Sequence, residues 1–343
     1  MKNKSKLILR IVLLLSTVIS LYFVPWPIVT AWVEPLPNTI QEQVNQASDY
    51  GFDGIIVYVD QAGKSPQFYT SGYHNTENKI PAKPDALFKI ASNDKLYTSV
   101  CIAKLVYDKK IDLNKTLADY FPELVGRIEY ANTITIKMMV QHRSGIPNYT
   151  DFNNYWTNPK YTNEENLKIV LDLPASFKPN TDYEYSNTNY LLLTELIEKV
   201  TGKPKFEYIK QHILIPLQLT NTYNSINDVN INRVMSGYYV GYDKDLKTED
   251  VGMLATAEDL GKFLRALNNG SIFKNKEEQK IYSSIYKYEH TGLVPGYQSI
   301  AKYHKDIDAV VIQFTNTVNF EGYNWNLSEV MYGRVVKILK RNN

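Results

Sequence analysis

Hydrophobic positions along this chain fall into blocks, and each block has its own period. The first block is unbroken. Ile11 to Val33 holds 23 residues without a charge, long enough to cross a bilayer as a helix. Pro25 and Pro27 interrupt it, so the regular helix is predicted over Leu7 to Val24. Pro35 and Pro37 mark a linker, after which Ile40, Val44 and Ala47 recur at helical spacing. Gly54 to Val59 is β-branched, Lys64-Ser65-Pro66 is a turn, and Gln67 to Tyr73 completes a predicted hairpin. From Ser92 to about Tyr107 the period is helical again, with Leu96, Val100 and Ala103 on one side. Thr135 caps a helix through Met138, Met139 and Val140, and Gly202 ends another that carries Leu192, Leu193, Leu196 and Ile197. Thr256-Ala-Glu-Asp259 has the form of a capping box before Leu260, Phe263, Leu264 and Leu267. Beyond residue 280 the pattern turns to strands: Tyr282–Tyr288, Ser299–His304 and Asp308–Thr315. A helix over 326–340 closes the chain. Strands at both ends around a helical middle predict an α/β fold of the α+β type: an antiparallel sheet built from both chain ends, flanked by helices, with a mainly helical region at roughly 108–250 inserted.

Charge sharpens the two-part division into residues 1–33 and 34–343. Lys2, Lys4, Lys6 and Arg10 precede the apolar run, and residues 1–31 contain no Asp or Glu. Such a start holds the N-terminus in the cytoplasm and sends the rest across. Residues 7–33 therefore read as a single-pass membrane anchor with residues 34–343 outside the cytoplasm. The competing reading is a signal peptide cleaved after Ala31, where Val29-Thr30-Ala31 offers small residues, giving a periplasmic or secreted protein. The run exceeds a usual signal core, which favours the anchor. The whole chain carries +2 from 38 basic and 36 acidic residues, so the exported part is near neutral and lacks the basic footprint of a nucleic-acid binder. Cys101, the one cysteine, has no disulfide partner within the chain and sits among apolar helix positions as core filler.

Ser-x-x-Lys on a helix places an amine beside a hydroxyl, because residues three apart share a face. A neighbouring base is what turns a weak serine nucleophile into a strong one. The pattern occurs at Ser92/Lys95, Ser271/Lys274, Ser284/Lys287 and Ser299/Lys302. Ser299 lies in a predicted strand, where the two side chains face apart. Ser271 follows the turn Asn269-Gly270, and Ser284 falls at a predicted strand edge. Only Ser92 opens a long apolar helix, whose N-terminus favours developing negative charge. Tyr-x-Asn occurs at Tyr73, Tyr130, Tyr161 and Tyr185; Tyr185-Ser186-Asn187 stands directly before an amphipathic helix. His290-Thr291-Gly292 follows the predicted strand at 282–288, and a glycine there would let a substrate backbone approach. No metal site is predicted, since His142 and His290 are isolated from acidic partners in the sequence.

Taken in order, Phe88-Lys-Ile-Ala-Ser92-Asn-Asp-Lys95, Tyr185-Ser-Asn187 and His290-Thr-Gly292 with Pro295-Gly296-Tyr297 resemble the three motifs of the serine β-lactamase-related, penicillin-binding-protein-like family. That family includes class C β-lactamases, D-alanyl-D-alanine carboxypeptidases, D-aminopeptidases and esterases. Gln141–Pro147, Ile215–Leu219 with Thr222, and Met253–Asp259 resemble further stretches of it, and the likeness covers roughly 37–335. The resemblance implies a β-lactamase/transpeptidase-like fold and acyl transfer through Ser92 without a cofactor. Lys95 and Tyr185 would share the proton, with the acylation base left open between them. Asn187 would bind substrate or Lys95, and His290, Thr291 and Gly292 would line the substrate. The backbone N–H groups of Ser92 and Leu293 would form the oxyanion hole. The implied partners are a small peptide, an ester or a β-lactam, with peptidoglycan stem peptides among the peptides. His290 departs from the lysine typical of class C enzymes. A partly charged imidazole holding a substrate carboxylate is the expectation there, and it favours a peptidase or esterase over a β-lactamase. A membrane-anchored, non-catalytic binding protein is the alternative of a different class.

Overall fold

A computed structural model describes residues 2–152, 155–156 and 162–342. Twelve helices occur among them: α1 (Lys2–Tyr22), α2 (Trp26–Val33), α3 (Ile40–Asn45), α4 (Asp94–Tyr107), α5 (Leu117–Tyr120), α6 (Ile136–Val140), α7 (Asn163–Val170), α8 (Asn187–Thr201), α9 (Lys205–Ile209), α10 (Ala257–Asn269), α11 (Lys276–Ile285) and α12 (Asn324–Arg341). The strands are β1 (Gly54–Gln61), β2 (Gln67–Asn75), β3 (Ile80–Pro81), β4 (Phe88–Lys89), β5 (Thr222–Tyr223), β6 (Tyr238–Tyr239), β7 (Leu254–Ala255), β8 (His290–Val294), β9 (Tyr297–His304), β10 (Ala309–Thr315) and β11 (Thr317–Val318).

The main sheet runs β3-β2-β1-β10-β9-β8 and is antiparallel throughout. Its central pair joins the two chain ends: Val57 stands opposite Gln313 and Tyr58 opposite Ile312. Successive strand residues point to opposite faces, and each face has its own core. Ile55, Val57 and Val59 meet α3 and α12 through Val44, Met331, Val335 and Ile338. Ile56 and Tyr58 belong to the larger core, with Leu96, Val100, Leu193, Leu260 and Leu264. Burial on both faces explains why β1 reads as a continuous apolar run. Gly261 lets α10 lie close on the sheet, since a Cβ there would come within 2.2 Å of the Tyr58 ring.

Two expectations need correction. Residues 282–288 are not a strand, because 276–285 form α11. The Asn275 side chain accepts from the N–H groups of Glu277 and Glu278, and two glutamates complement the first turn. Tyr282 and Ile285, three apart, then bury together on one helix face, where a strand would turn them apart. Thr256 does cap α10, but the Asp259 carboxylate does not return to it. It accepts from Asn221 N and Thr222 Oγ1, at 2.7 and 3.0 Å, tying the end of the helical region to α10.

The helix Lys4–Tyr22 is apolar and wholly unburied by the rest of the chain, with the length and composition to cross a membrane. Replacing Gly261 by Val should overpack the α10–β1 contact and destabilise the fold by about 2–3 kcal/mol. A shift of the urea midpoint at unchanged slope would measure it; an unshifted midpoint would show that Tyr58 yields freely.

Candidate active site

Ser92 sits in a single 3₁₀ turn, Ala91–Asn93, that leads into α4. The preceding Ala91 has φ +49°, in the left-handed region that costs a non-glycine residue of order 1–3 kcal/mol. The turn is held there from β8 and β9. Ser299 Oγ donates to Ile90 O at 3.1 Å and accepts from Asn93 Nδ2 at 2.8 Å. A Cβ on Gly292 would meet Ile90 O and Ser299 Oγ at 2.4 Å and the Ala91 Cβ at 3.0 Å. The glycine of the third motif thus admits the Ser92 turn against β8.

α4 carries Lys95 one turn after Ser92, and α8 begins directly after Tyr185-Ser186. Ser92 Oγ and Tyr185 OH share a hydrogen bond of 2.6 Å. Lys95 Nζ donates to Ser92 Oγ at 3.2 Å and to Asn187 Oδ1 at 2.8 Å. Lys95 is buried, and no ion pair of Lys95 is found among the described residues. Its ammonium rests instead against the rings of Tyr185 and Tyr190, 4.9 and 5.3 Å from their centroids. Asn187 is fixed in turn: its N–H donates to Asn148 Oδ1 at 2.9 Å and its Nδ2 to Thr150 Oγ1 at 3.0 Å. Asn187 therefore faces Lys95, one of the two partners expected for it. The Ser92 and Tyr185 oxygens and the Lys95 nitrogen form one hydrogen-bonded cluster that lines a cavity of about 970 Å³. Thr291, Leu293, Tyr149, Trp156 and Phe320 also line it.

The other Ser-x-x-Lys pairs lack this setting. Ser299 is buried behind the turn, Ser284 lies exposed on α11 with its hydroxyl on Ile281 O, and Ser271 is exposed in a turn. Tyr161 lies outside the described residues. Cys101 is fully buried on α4, which pushes its thiol up to about 12.

Two histidines border the cluster. His290 is 5% exposed. Its Nε2 pairs with Tyr286 OH at 2.9 Å, and its Nδ1 lies against the Thr291 backbone, 2.9 Å from N and 2.5 Å from O. Burial, then the ammonium groups of Lys287 and Lys95, hold it well below the usual histidine range. The expectation of a partly charged His290 gives way to a neutral ring, because desolvation and two nearby cations disfavour the imidazolium. His142 is the residue that motif reading passed over. Its ring stacks on Tyr185 at 4.6 Å, and its Nδ1 accepts from Ser186 N at 3.1 Å. Burial, then Lys95 and Lys287, lower it to about 3. The segment Gln141–Pro147 was its only sequence signal, together with Asn148 and Thr150 just beyond.

A strained serine turn braced by an edge strand, with lysine and tyrosine meeting on the hydroxyl, is the candidate site of this mixed α+β fold. The chain belongs to the Beta-lactamase family, whose model matches residues 36–285. The match stops before His290, short of the 37–335 over which likeness was expected. Protein flp of Staphylococcus aureus (strain MW2) is 30% identical over 193 residues, covering 54% of this chain and 39% of flp, so the chain spans about two fifths of that relative's length. PbpX of Bacillus subtilis (strain 168), named for penicillin binding, is 25% identical over 303 residues, 81% of this chain and 74% of PbpX. Among solved structures, a D-amino acid amidase from Ochrobactrum anthropi SV3 superposes with a TM-score of 0.78 at 23% identity, covering 88% of this chain and 98% of that one. A penicillin-binding protein from Bacillus halodurans gives 0.70 at 21% identity, with 84% and 98% covered. These superpositions establish the β-lactamase/transpeptidase-like fold.

The buried His142 links this site to stability. The folded ring titrates near 3 and the unfolded ring near about 6.5, so the unfolded chain binds the extra proton at intermediate pH. Stability is full above about pH 6.5 and falls as pH drops. Between pH 7.5 and 5 His142 alone should remove about 2 kcal/mol. In urea titrations at both pH values, His142→Gln should lose about that much less than wild type, His290 still contributing its own share. Equal losses would mean that His142 is charged in the fold.

Proposed function

We propose that the chain is an exported serine hydrolase that works through an acyl-enzyme on Ser92. The observation that carries this is the meeting of Ser92 Oγ with Tyr185 OH at 2.6 Å and Lys95 Nζ at 3.2 Å. Ser92 Oγ attacks the substrate carbonyl as its proton passes to the Lys95–Tyr185 pair, which enters this step as amine plus phenol or as ammonium plus phenolate. The backbone N–H groups of Ser92 and Leu293 receive the oxyanion. Collapse of the tetrahedral intermediate returns the proton to the leaving group and leaves an ester on Ser92. Water, deprotonated by the same pair, attacks that ester and frees Ser92. Asn187 holds the Lys95 ammonium in place. His290, Thr291 and Gly292 form the substrate-facing edge.

The substrate is a D-peptide, amide or ester, and a neutral His290 supports this choice over a β-lactam. The burial of His290 among two lysines leaves the third motif without the fixed cation that would attract a carboxylate. The name of the D-amino acid amidase that shares the fold points the same way. Class C-like β-lactam hydrolysis is the second reading, favoured by the family match alone. We place the domain outside the cytoplasm, anchored through α1 with Lys2, Lys4, Lys6 and Arg10 inside.

A fluorophosphonate probe tests the nucleophile. Wild type should carry the label on the Ser92 peptide and Ser92→Ala should carry none. A label that survives Ser92→Ala would overturn the assignment, and an unlabelled wild type would support a non-catalytic binding protein. Lys95→Met and Tyr185→Phe should each lower kcat by about 10²–10⁴-fold, with the double variant little worse than either. For a D-peptide with a free carboxylate, KM should stay flat from pH 6 to 8. A KM that falls towards pH 6 would instead reveal a titrating His290.

A further inference from the structure

Three residues, Phe23, Val24 and Pro25, separate the end of α1 from the start of α2. They can span at most about 11 Å, and the Trp26 indole N–H donates across the joint to Leu21 O at 3.0 Å. The 19 residues Lys4–Tyr22 measure about 28 Å as a helix, close to the hydrocarbon thickness of a bilayer. A chain that leaves the hydrocarbon at Tyr22 therefore has α2 at the headgroups. α2 (WPIVTAWV) carries no charge. On one side Ala31 is buried and Ile28 packs on the α12 face of the core. On the other, Trp26, Trp32 and Val33 are exposed, continuous with Tyr22 and Phe23. Tryptophan and tyrosine beside an apolar helix suit the membrane–water boundary, where the ring is half in hydrocarbon and half in water.

α2 is also fastened to the domain. The Arg334 guanidinium on α12, 3% exposed, donates to Ala31 O (3.1 Å), Glu34 O (2.7 Å), Pro35 O (2.9 Å) and Gln43 Oε1 (2.6 Å). A cation at the C-terminal end of α2 also complements the helix dipole. Arg341 donates to Pro37 O and to Asn38 O. Lys337 lies 6.0 Å from the Trp32 ring, which sets positive charge beside the exposed aromatics, as anionic headgroups favour.

We propose that α2 lies in the headgroup layer of the bilayer that α1 enters, and that Arg334 locks it to α12, so the catalytic domain is docked on the membrane in one orientation. This rests on reading α1 as an anchor. A domain on a flexible linker samples a range of heights; here the segment after α2 is bonded to α12 at Glu34, Pro35, Pro37 and Asn38.

The full chain in phosphatidylglycerol–phosphatidylcholine vesicles, with lipids brominated near the top of the acyl chains, tests this by tryptophan quenching. Wild type should be quenched, and the Trp26→Phe/Trp32→Phe double variant should lose most of that quenching, leaving Trp156 and Trp325 unaffected. Flotation in alkaline carbonate is read on the same samples. Protein that fails to float overturns the anchor and the docking together. Protein that floats with quenching unchanged in the double variant overturns the docking alone. Arg334→Met should speed proteolysis between Val33 and Asn38 more than roughly tenfold, as loss of hydrogen bonds to a charged group implies, with probe labelling of Ser92 retained. Should Arg334→Met fail to fold, Gln43→Leu, which removes one acceptor, should show a smaller acceleration. An unchanged cleavage rate would show that the clamp does not exist.

Discussion

Antiparallel pairing of β1 with β10 brings residues 55–61 against residues 309–315, and the remaining architecture hangs on it. The pairing closes the whole helical region into a loop between two strands that touch. It creates two faces, each of which must be covered: α3 and α12 seal one, α10 and the α4/α8 layer the other. It also sets β9 and β8 beyond β10, where Ser299 and Gly292 receive the Ser92 turn. A non-local pairing of this kind is entropically expensive to close, and burial on both of its faces is what offsets that cost.

Within the site the governing feature is a buried ammonium that has oxygen atoms and aromatic faces around it in place of a carboxylate. A carboxylate beside Lys95 would tie up the proton, whereas the carbonyl of Asn187 orients the amine and leaves its charge uncompensated. That charge acts on everything nearby. Desolvation first, and then this charge and that of Lys287, keep His142 and His290 neutral. The His142 ring then accepts from the backbone N–H of Ser186, and the His290 ring rests on the Thr291 backbone. His142 additionally backs the Tyr185 ring, so the phenol is held from behind by stacking and in front by the serine. Strain at Ala91 is tolerated because β8, β9 and α4 all constrain the same turn.

Part of this was legible in the linear chain because periodicity and short motifs are local properties. The hairpin at 54–75, the helices after Ser92 and Tyr185, the caps at Thr135 and Thr256 and the paired strands near the C-terminus follow from spacing and turn chemistry. Ser92, Lys95 and Tyr185 were legible for a related reason. Serine and lysine lie one helical turn apart, and tyrosine precedes a helix that its own sequence announces. α11 was misread because Ile281, Tyr282, Ile285 and Tyr286 are residue types that strands favour; the deciding signal was the cap at Asn275, outside the apolar run.

Sequence alone determined the order of elements, the apolar N-terminal helix and the residue types of the Ser92 cluster, since these depend on neighbours within a few positions. Only the tertiary structure decided what those residues experience. It brought Ser92, Tyr185 and Asn187 together around one ammonium and gave Gly292 the role of admitting a strained turn. It turned His290 from an expected cation into a neutral ring, placed His142 behind Tyr185 and put Arg334 under the carbonyls of α2. Protonation state and side-chain partnership depend on burial and on charges brought from distant parts of the chain, and no local pattern of residues encodes which of them will meet.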